Sequence, residues 1–361
     1  MNMWYRSKFF RYSLGLLVIL LNIYFLSKVD FLLVPVRNVI ASIFFPLFIS
    51  GLLYYLLRPP VNLIVKLKVP RTLAVLLVFI LLAVLLYLII IGTGSMVSGQ
   101  VNQLFSNLPN FLQVSSQKIT EFVKGESLSF IPIDNLQQQL SALVEKIIPF
   151  LSQGLISGMA TAASAATALI VIPFILFYLL NDDKLFSKYL LKLFPERIKE
   201  NSSEMIDDID KTLSVYIISQ ALIALTTGIL MYIGYLILGL DLSLILAMFA
   251  ILTAFIPIFG SFIGIVPAVI VAITVSPMQV VKVLVLMTIV QLLVGNIMAP
   301  LLLGKRLNIH PLTIIIILLA AASIYGFIGM LIAVPVYAII KIIGKKVYEI
   351  YKLYNNQIKK Y

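Results

Sequence analysis

The side chains that could do chemistry in this sequence are few, and most are uncharged. Gln220, Thr226, Thr227, Gln291 and Asn296 lie within long apolar stretches, where amides and hydroxyls can hydrogen-bond a small polar solute or join one helix to another. Beside them stand residues that break or hinge a helix: Pro257, Gly260, Gly264 and Pro267 in one stretch, Gly326, Gly329 and Pro335 in another. Ionisable groups occur only at stretch ends, as with Asp30, Arg37, Asp241, Lys282, His310 and Lys341. Proton relays and ion coupling usually rest on a carboxylate inside a span. The candidates for that role are instead Asp241 at a boundary and Asp207, Asp208 and Asp210 in a charged connecting segment. His310, just before Pro311, reads as an interfacial cap.

With no cysteine and one histidine, disulfides, thiolate metal sites, cysteine nucleophiles and a Ser-His-Asp constellation are excluded, and no metal is expected. No phosphate-cradling G-x-x-x-x-G-K loop is present. The chain therefore reads as neither an ATPase nor another enzyme, and no cofactor is expected.

The elements that must position these groups follow from composition. Of 361 residues, 61% are hydrophobic and 12% charged, against about 45–50% and about 25% in soluble domains. So little charge cannot build a nucleic-acid-binding stripe, even at a net +12. Arg6, Lys8 and Arg11 precede an apolar run from Tyr12 to about Val36, too long for a cleavable signal and long enough to span. Further runs cover about Val39–Leu57, Thr72–Val97, Leu151–Leu180, Leu213–Leu238, Leu242–Val275, Val280–Leu303 and Leu312–Ile343. The Leu242–Val275 and Leu312–Ile343 runs are broken by their glycines and prolines and read as helical hairpins. The expectation is an all-α, polytopic transmembrane bundle.

The expected organisation is three spans in residues 1–97, an extracytoplasmic amphipathic helical segment at 98–150, and a small-residue-rich span at 151–180. A charged cytoplasmic segment follows at 181–212, then a span with its hairpin at 213–276, a second such pair at 277–343, and a basic cytoplasmic tail at 344–361. With the N-terminus inside, 21 of the 27 basic residues fall on the cytoplasmic side, as the positive-inside rule requires. Both termini are then cytoplasmic, and the six outer basic residues face six acidic ones. The charge is an orientation signal and implies no anionic substrate.

Two patterns bear on function. Gly154, Gly158, Ala162 and Ala166 form a small-residue stripe that allows close helix approach, within the chain or between copies. Phe259-Gly260-Ser261-Phe262-Ile263-Gly264 with Pro267 is echoed by Tyr325-Gly326-Phe327-Ile328-Gly329 with Pro335. The predicted topology inserts these two units in opposite senses, as in the inverted repeats of secondary transporters, whose broken helices meet near the midplane. The alternative is that glycine and proline only permit kinks and tight packing.

The segment Ile256-Pro257-Ile258-Phe259-Gly260-Ser261-Phe262-Ile263-Gly264-Ile265-Val266-Pro267-Ala268 resembles the signature of the autoinducer-2 exporter (AI-2E) family of bacterial membrane proteins. Pro173-Phe174-Ile175-Leu176-Phe177-Tyr178-Leu179-Leu180 with Asp182 is similar to that family's fourth-helix ending. Asn296, Pro300, Gly304-Lys305-Arg306 and His310-Pro311 resemble its late loop, and Tyr325 to Met330 with Ala333-Val334-Pro335 its last hairpin. The sequence departs from the pattern at Ile218-Ser219, where the family often has Arg-Gly, at Leu301 in place of a basic residue, and at Ala321-Ala322 in place of a glycine pair.

The resemblance implies a multi-pass transporter of the bacterial inner membrane, assembled as a homo-oligomer such as a pentamer. It points to export of the autoinducer-2 signal or to sodium(lithium)/proton antiport. The leading expectation is export of a small polar solute, with hydrogen bonds from Gln220, Gln291 and Asn296 and a pathway shaped by the hairpin residues. The alternatives are a monovalent-cation/proton antiporter using Asp241 or one of Asp207, Asp208 and Asp210, and a non-transporting membrane scaffold.

Overall fold

The computed structural model describes residues 8–28, 30–125, 166–183, 185–192, 194–303 and 309–358, and among these no strand occurs. The helices are α1 (Lys8–Lys28), α2 (Asp30–Lys66), α3 (Arg71–Gly125), α4 (Ala166–Asn181), α5 (Leu185–Lys192), α6 (Lys199–Ile237), α7 (Ser243–Ala254), α8 (Phe259–Val275), α9 (Pro277–Leu293), α10 (Ala299–Leu303) and α11 (Pro311–Ile358). A π-helical turn, Val294–Met298, joins α9 to α10. Among the described residues, five stretches are long and apolar enough to cross a bilayer: Ile43–Lys66, Arg71–Gln103, Lys199–Ile237, Pro277–Leu303 and Pro311–Glu349. Along α3, Leu81, Leu85, Leu88 and Ile91 are all exposed, a surface suited to lipid rather than water. The chain is an all-α, multi-pass membrane protein.

Helix ends differ from the apolar boundaries at three places. The third apolar run and the start of the expected external helical segment form one helix, α3 continuing unbroken to Gly125, about 80 Å long at 1.5 Å per residue. Backbone hydrogen bonds continue a helix through polar residues, so the change of composition at Ser98 marks only where the lipid-facing surface ends. Residues 126–150 of the expected external segment lie outside the described residues. Helix α2 begins at Asp30, well before the apolar run at Val39, and contains Pro35, Pro46, Pro59 and Pro60. Beyond Ile343, helix α11 continues through the basic stretch to Ile358.

Both broken stretches reverse direction. In the first, α7 ends at Ala254 and α8 starts at Phe259, with Ile258 at φ +66° between them. In the second, Gly326 adopts φ +58° and ψ −137° inside α11. A Cβ on Gly329 would stand 2.2 Å from the Ala321 carbonyl oxygen, although residues eight apart in a straight helix are separated by about 12 Å. The two arms of α11 therefore fold back on each other. The first hairpin has the same construction, since a Cβ on Gly260 would stand 2.1 Å from the Thr253 carbonyl oxygen. Glycine at these two positions lets one arm press directly on the backbone of the other.

Broken helices leave carbonyls without intrahelical partners, which a bilayer cannot solvate. Two neighbours on α6 satisfy two of them. The Gln220 amide nitrogen donates to the Ala254 carbonyl at 2.7 Å, at the end of α7. The Ser219 hydroxyl donates to the Leu302 carbonyl at 2.8 Å, at the end of α10. The end of α6 is covered in turn, the Gln279 amide donating to the Leu238 carbonyl.

Apolar packing divides the helices into two bodies. Tyr54, Val61, Ala74, Val75, Val78, Leu176 and Leu180 make a core among α2, α3 and α4. Tyr235, Leu246, Ala250, Ala268, Val271, Val283 and Val290 belong to a larger core of α6 to α9. A third cluster, including Tyr216, Ile217, Ile256, Leu318, Ala333 and Val334, packs α6 against both hairpins and receives Leu52 and Leu56 from α2.

Substituting Gly260→Ala is expected to lower stability by about 1–3 kcal/mol through overpacking against backbone, as read by thermal unfolding in detergent. Gly51→Ala, where an added Cβ meets nothing within 4 Å, should be neutral or stabilising. In the same assay Gln220→Leu, which strands the Ala254 carbonyl, should cost about 1–2 kcal/mol.

Candidate functional site

A pocket of about 190 Å3 opens where α2, α6 and both hairpins meet, lined by Ile49, Leu52, Leu53 and Leu56 of α2, Tyr216, Ile217 and Gln220 of α6, Phe255 of the first hairpin turn, and Leu331 and Pro335 of the second hairpin. Each wall has a local cause. Phe255 sits there because α7 stops at Ala254. Leu331 and Pro335 arrive because the chain turns back at Gly326. Gln220 is 6% exposed, and its orientation is settled by chemistry: a carbonyl can only accept, so the amide nitrogen faces Ala254. The rest of the lining is apolar or aromatic.

The other candidates from the sequence separate into groups. Gly260 and Gly264 are buried against α7, the latter with its Cβ position 2.5 Å from the Thr253 hydroxyl. Pro267 is buried within α8 and Pro257 is half-buried in the turn. These four shape the hairpin and do not line the pocket. Gln291 and Asn296 also lie away from it, both exposed. Gln291 accepts a hydrogen bond from the Ser261 hydroxyl at 2.6 Å, joining α9 to α8. Asn296 occupies the π-helical turn, a distortion often found at functional positions. Thr227 donates to the Ile223 carbonyl within its own helix, a structural role. His310 Nδ1 accepts from the Leu312 backbone N–H at the start of α11, as expected of a cap. Gly154, Gly158 and Ala162 lie outside the described residues, and Ala166 is the first residue of α4.

The acidic candidates do not gather. Asp207 and Asp208 are exposed on α6, and Asp241 is exposed in the turn before α7. Asp210 alone is engaged, in a network that sequence reasoning missed. Arg58 Nη1 meets Asp210 Oδ2 at 2.7 Å, while Arg58 Nε meets Asp183 Oδ1 at 3.0 Å. Arg71 Nη2 is 3.2 Å from the other Asp183 oxygen, and its Nε donates to the Leu180 carbonyl at 2.6 Å. The Tyr54 hydroxyl donates to Asp183, and the Arg58 guanidinium lies over the Tyr54 ring. Two cations thus meet two anions, a balance that lets charge be partly buried. The available signal was a pair of arginines at the ends of the second and third apolar runs and Asp182-Asp183 at the end of the fourth. That pattern places them at one end of the bundle without saying which pairs with which.

Among the described residues no group of three or more His, Cys, Asp or Glu side chains is arranged to hold a metal ion. What the site offers is a small, largely apolar cavity reached by Gln220 and bounded by both hairpins, beside a charge network linking four helices.

Comparison with known proteins agrees with this architecture. Residues 14–349 match the model of the AI-2E family transporter. The chain is 36% identical over 355 residues to "Putative transport protein YueF" of Bacillus subtilis (strain 168), covering 96% of each chain. It is 31% identical over 329 residues to "Putative transport protein YrrI" of the same organism, covering 90% of this chain and 92% of the other. "Putative transport protein YhhT" of Escherichia coli (strain K12) is 24% identical over 318 residues, covering 84% of each. With both hairpins inside a match that covers nearly the whole chain, the chain belongs to the AI-2E family of transporters.

Proposed function

We propose that the protein is a secondary transporter that exports a small polar solute, of the kind represented by the autoinducer-2 signal, across the bacterial inner membrane, with both termini in the cytoplasm. The observation that carries this reading is the pocket formed jointly by Gln220, Phe255, Leu331 and Pro335, because it joins both hairpins to one cavity. A solute there hydrogen-bonds the Gln220 amide oxygen and lies against the apolar walls, while the two turns flex around it. The hairpins with their preceding helices are read as inverted halves. Gln291, Asn296 and Ser261 form a polar flank of the pathway or a contact with a second copy, since exposed amides are poorly tolerated against lipid.

Sodium(lithium)/proton antiport is the weaker reading. It needs a carboxylate that alternately binds cation and proton, whereas Asp207, Asp208 and Asp241 are exposed and Asp210 is paired with Arg58.

Two measurements test the proposal. In proteoliposomes carrying the full chain, Leu53→Trp, which fills the pocket, should abolish flux of the solute found by screening while leaving thermal stability within about 1–3 kcal/mol of the parent. Undiminished flux would remove the pocket from the pathway, and sodium- or lithium-dependent proton movement lost in Asp241→Asn would favour the antiporter. For orientation, Lys68→Cys should react only with a reagent that enters the cytoplasm and Asp241→Cys with one outside. The opposite pattern would reverse the topology.

A further inference from the structure

The pocket lies where the two packed bodies meet, and its α2 and α6 walls continue to the end of the bundle that carries Arg58 and Asp210. Arg58 is two residues beyond the pocket residue Leu56, about 3 Å along α2; Asp210 is six residues before Tyr216, about 9 Å back along α6. The guanidinium spans the gap between them at 2.7 Å. Among the described residues this is the one ion pair that crosses from the α2, α3 and α4 body to the α6 to α9 body. The Tyr55 side chain of α2 is hydrogen-bonded to the same Asp210 carboxylate and reinforces that crossing, whereas the contacts of Arg58, Arg71 and Tyr54 with Asp183 lie within the first body.

The two halves of the network differ in burial. Asp183 keeps 9% of its side-chain exposure, whereas Asp210 keeps 33%. The Asp183 contacts staple α2, α3 and α4 together and pre-orient Arg58. The Asp210 contact is accessible to water, which can replace it at small cost. At the other end of the bundle a second polar tie joins the bodies, the Ile245 backbone N–H donating to Gln100 at 3.1 Å. Besides the apolar contacts of Leu52 and Leu56 with α6 and the hairpins, the bodies are thus joined by polar contacts on both sides of the pocket.

Building on the pocket as the transport site, we propose that Arg58 and Asp210 form an ionic latch that closes the pocket toward the end carrying residues 58–71. Parting of this pair, with Arg58 retained on Asp183, lets the bodies separate there while the Gln100 tie keeps the opposite end closed. Asp210 thereby governs access to the pocket without touching the solute.

The chain has no cysteine, so a single Leu56→Cys reports on access. In proteoliposomes containing this protein, a membrane-impermeant thiol reagent is applied to each side in turn. Asp210→Asn is expected to raise labelling from the side bearing residues 58–71 about tenfold, equivalent to about 1.4 kcal/mol, and to leave labelling from the other side unchanged. Asp210→Glu, which keeps the charge, should label at the parent rate. An unaltered rate in folded Asp210→Asn protein, or an equal rise from both sides, overturns the latch. If Asp210→Asn does not fold, the Leu56→Cys protein alone decides. High salt should speed its labelling from that side by screening the pair, and a rate independent of salt overturns the proposal. The readout needs no solute. A latch that opens normally in a protein whose Leu53→Trp variant still transports would refute the pocket as the site and leave the latch standing.

Discussion

Inside a bilayer no water is present to take up a backbone N–H or C=O that lacks a partner, and the rest of this structure depends on how that condition is met. Long helices meet it by themselves. The two interrupted stretches cannot, so each break is supported by something else. At the first, Gly260 lets α8 press on the Thr253 carbonyl, and Gln220 reaches from α6 to the Ala254 carbonyl. At the second, Gly329 lets one arm press on the Ala321 carbonyl, and Leu318, Ala333 and Val334 pack against Tyr216 and Ile217 of α6. Helix α6 is therefore the element on which the broken segments are seated, and the pocket exists because the seated turns do not fill the space beside α2.

Charge is handled by the same economy. The apolar stretches hold no ionisable group at their centres, and Arg58, Arg71, Asp183 and Asp210 meet at one end in a neutral arrangement. Removing one partner of such a group leaves the others partly buried and unpaired, which costs far more than the pair contributes. Within the first body the network behaves as structure. Where it crosses to the second body through the more exposed Asp210, it behaves as a contact that can be made and broken. One arginine serves both purposes because its guanidinium presents donors on several edges.

The contrast between what was legible and what was not follows particular residues. The hairpins were legible because Pro257, Gly260, Gly326 and Gly329 act locally: a missing donor or a missing Cβ changes backbone conformation wherever it stands. Helix past Ser98 was legible from the three-to-four-residue apolar spacing, but its unbroken continuity with the third span was not, because helicity depends on continuous hydrogen bonding that a change of composition does not reveal. Gln220 was legible as an amide that either binds a solute or joins one helix to another; the structure shows its nitrogen joined to the first hairpin. Gln291 and Asn296, grouped with it by type, lie on another surface.

By itself the sequence determined the membrane class, the helical class and the breaks, since composition and local stereochemistry act without reference to distant parts of the chain. Only the tertiary structure decided that Gln220 and Pro335 share a pocket while Gln291 does not, and that Arg58 joins Asp183 and Asp210. Those pairings span more than a hundred residues of chain. They are selected by how helix faces pack and by the geometry of a guanidinium between two carboxylates, neither of which is carried by spacing along the sequence.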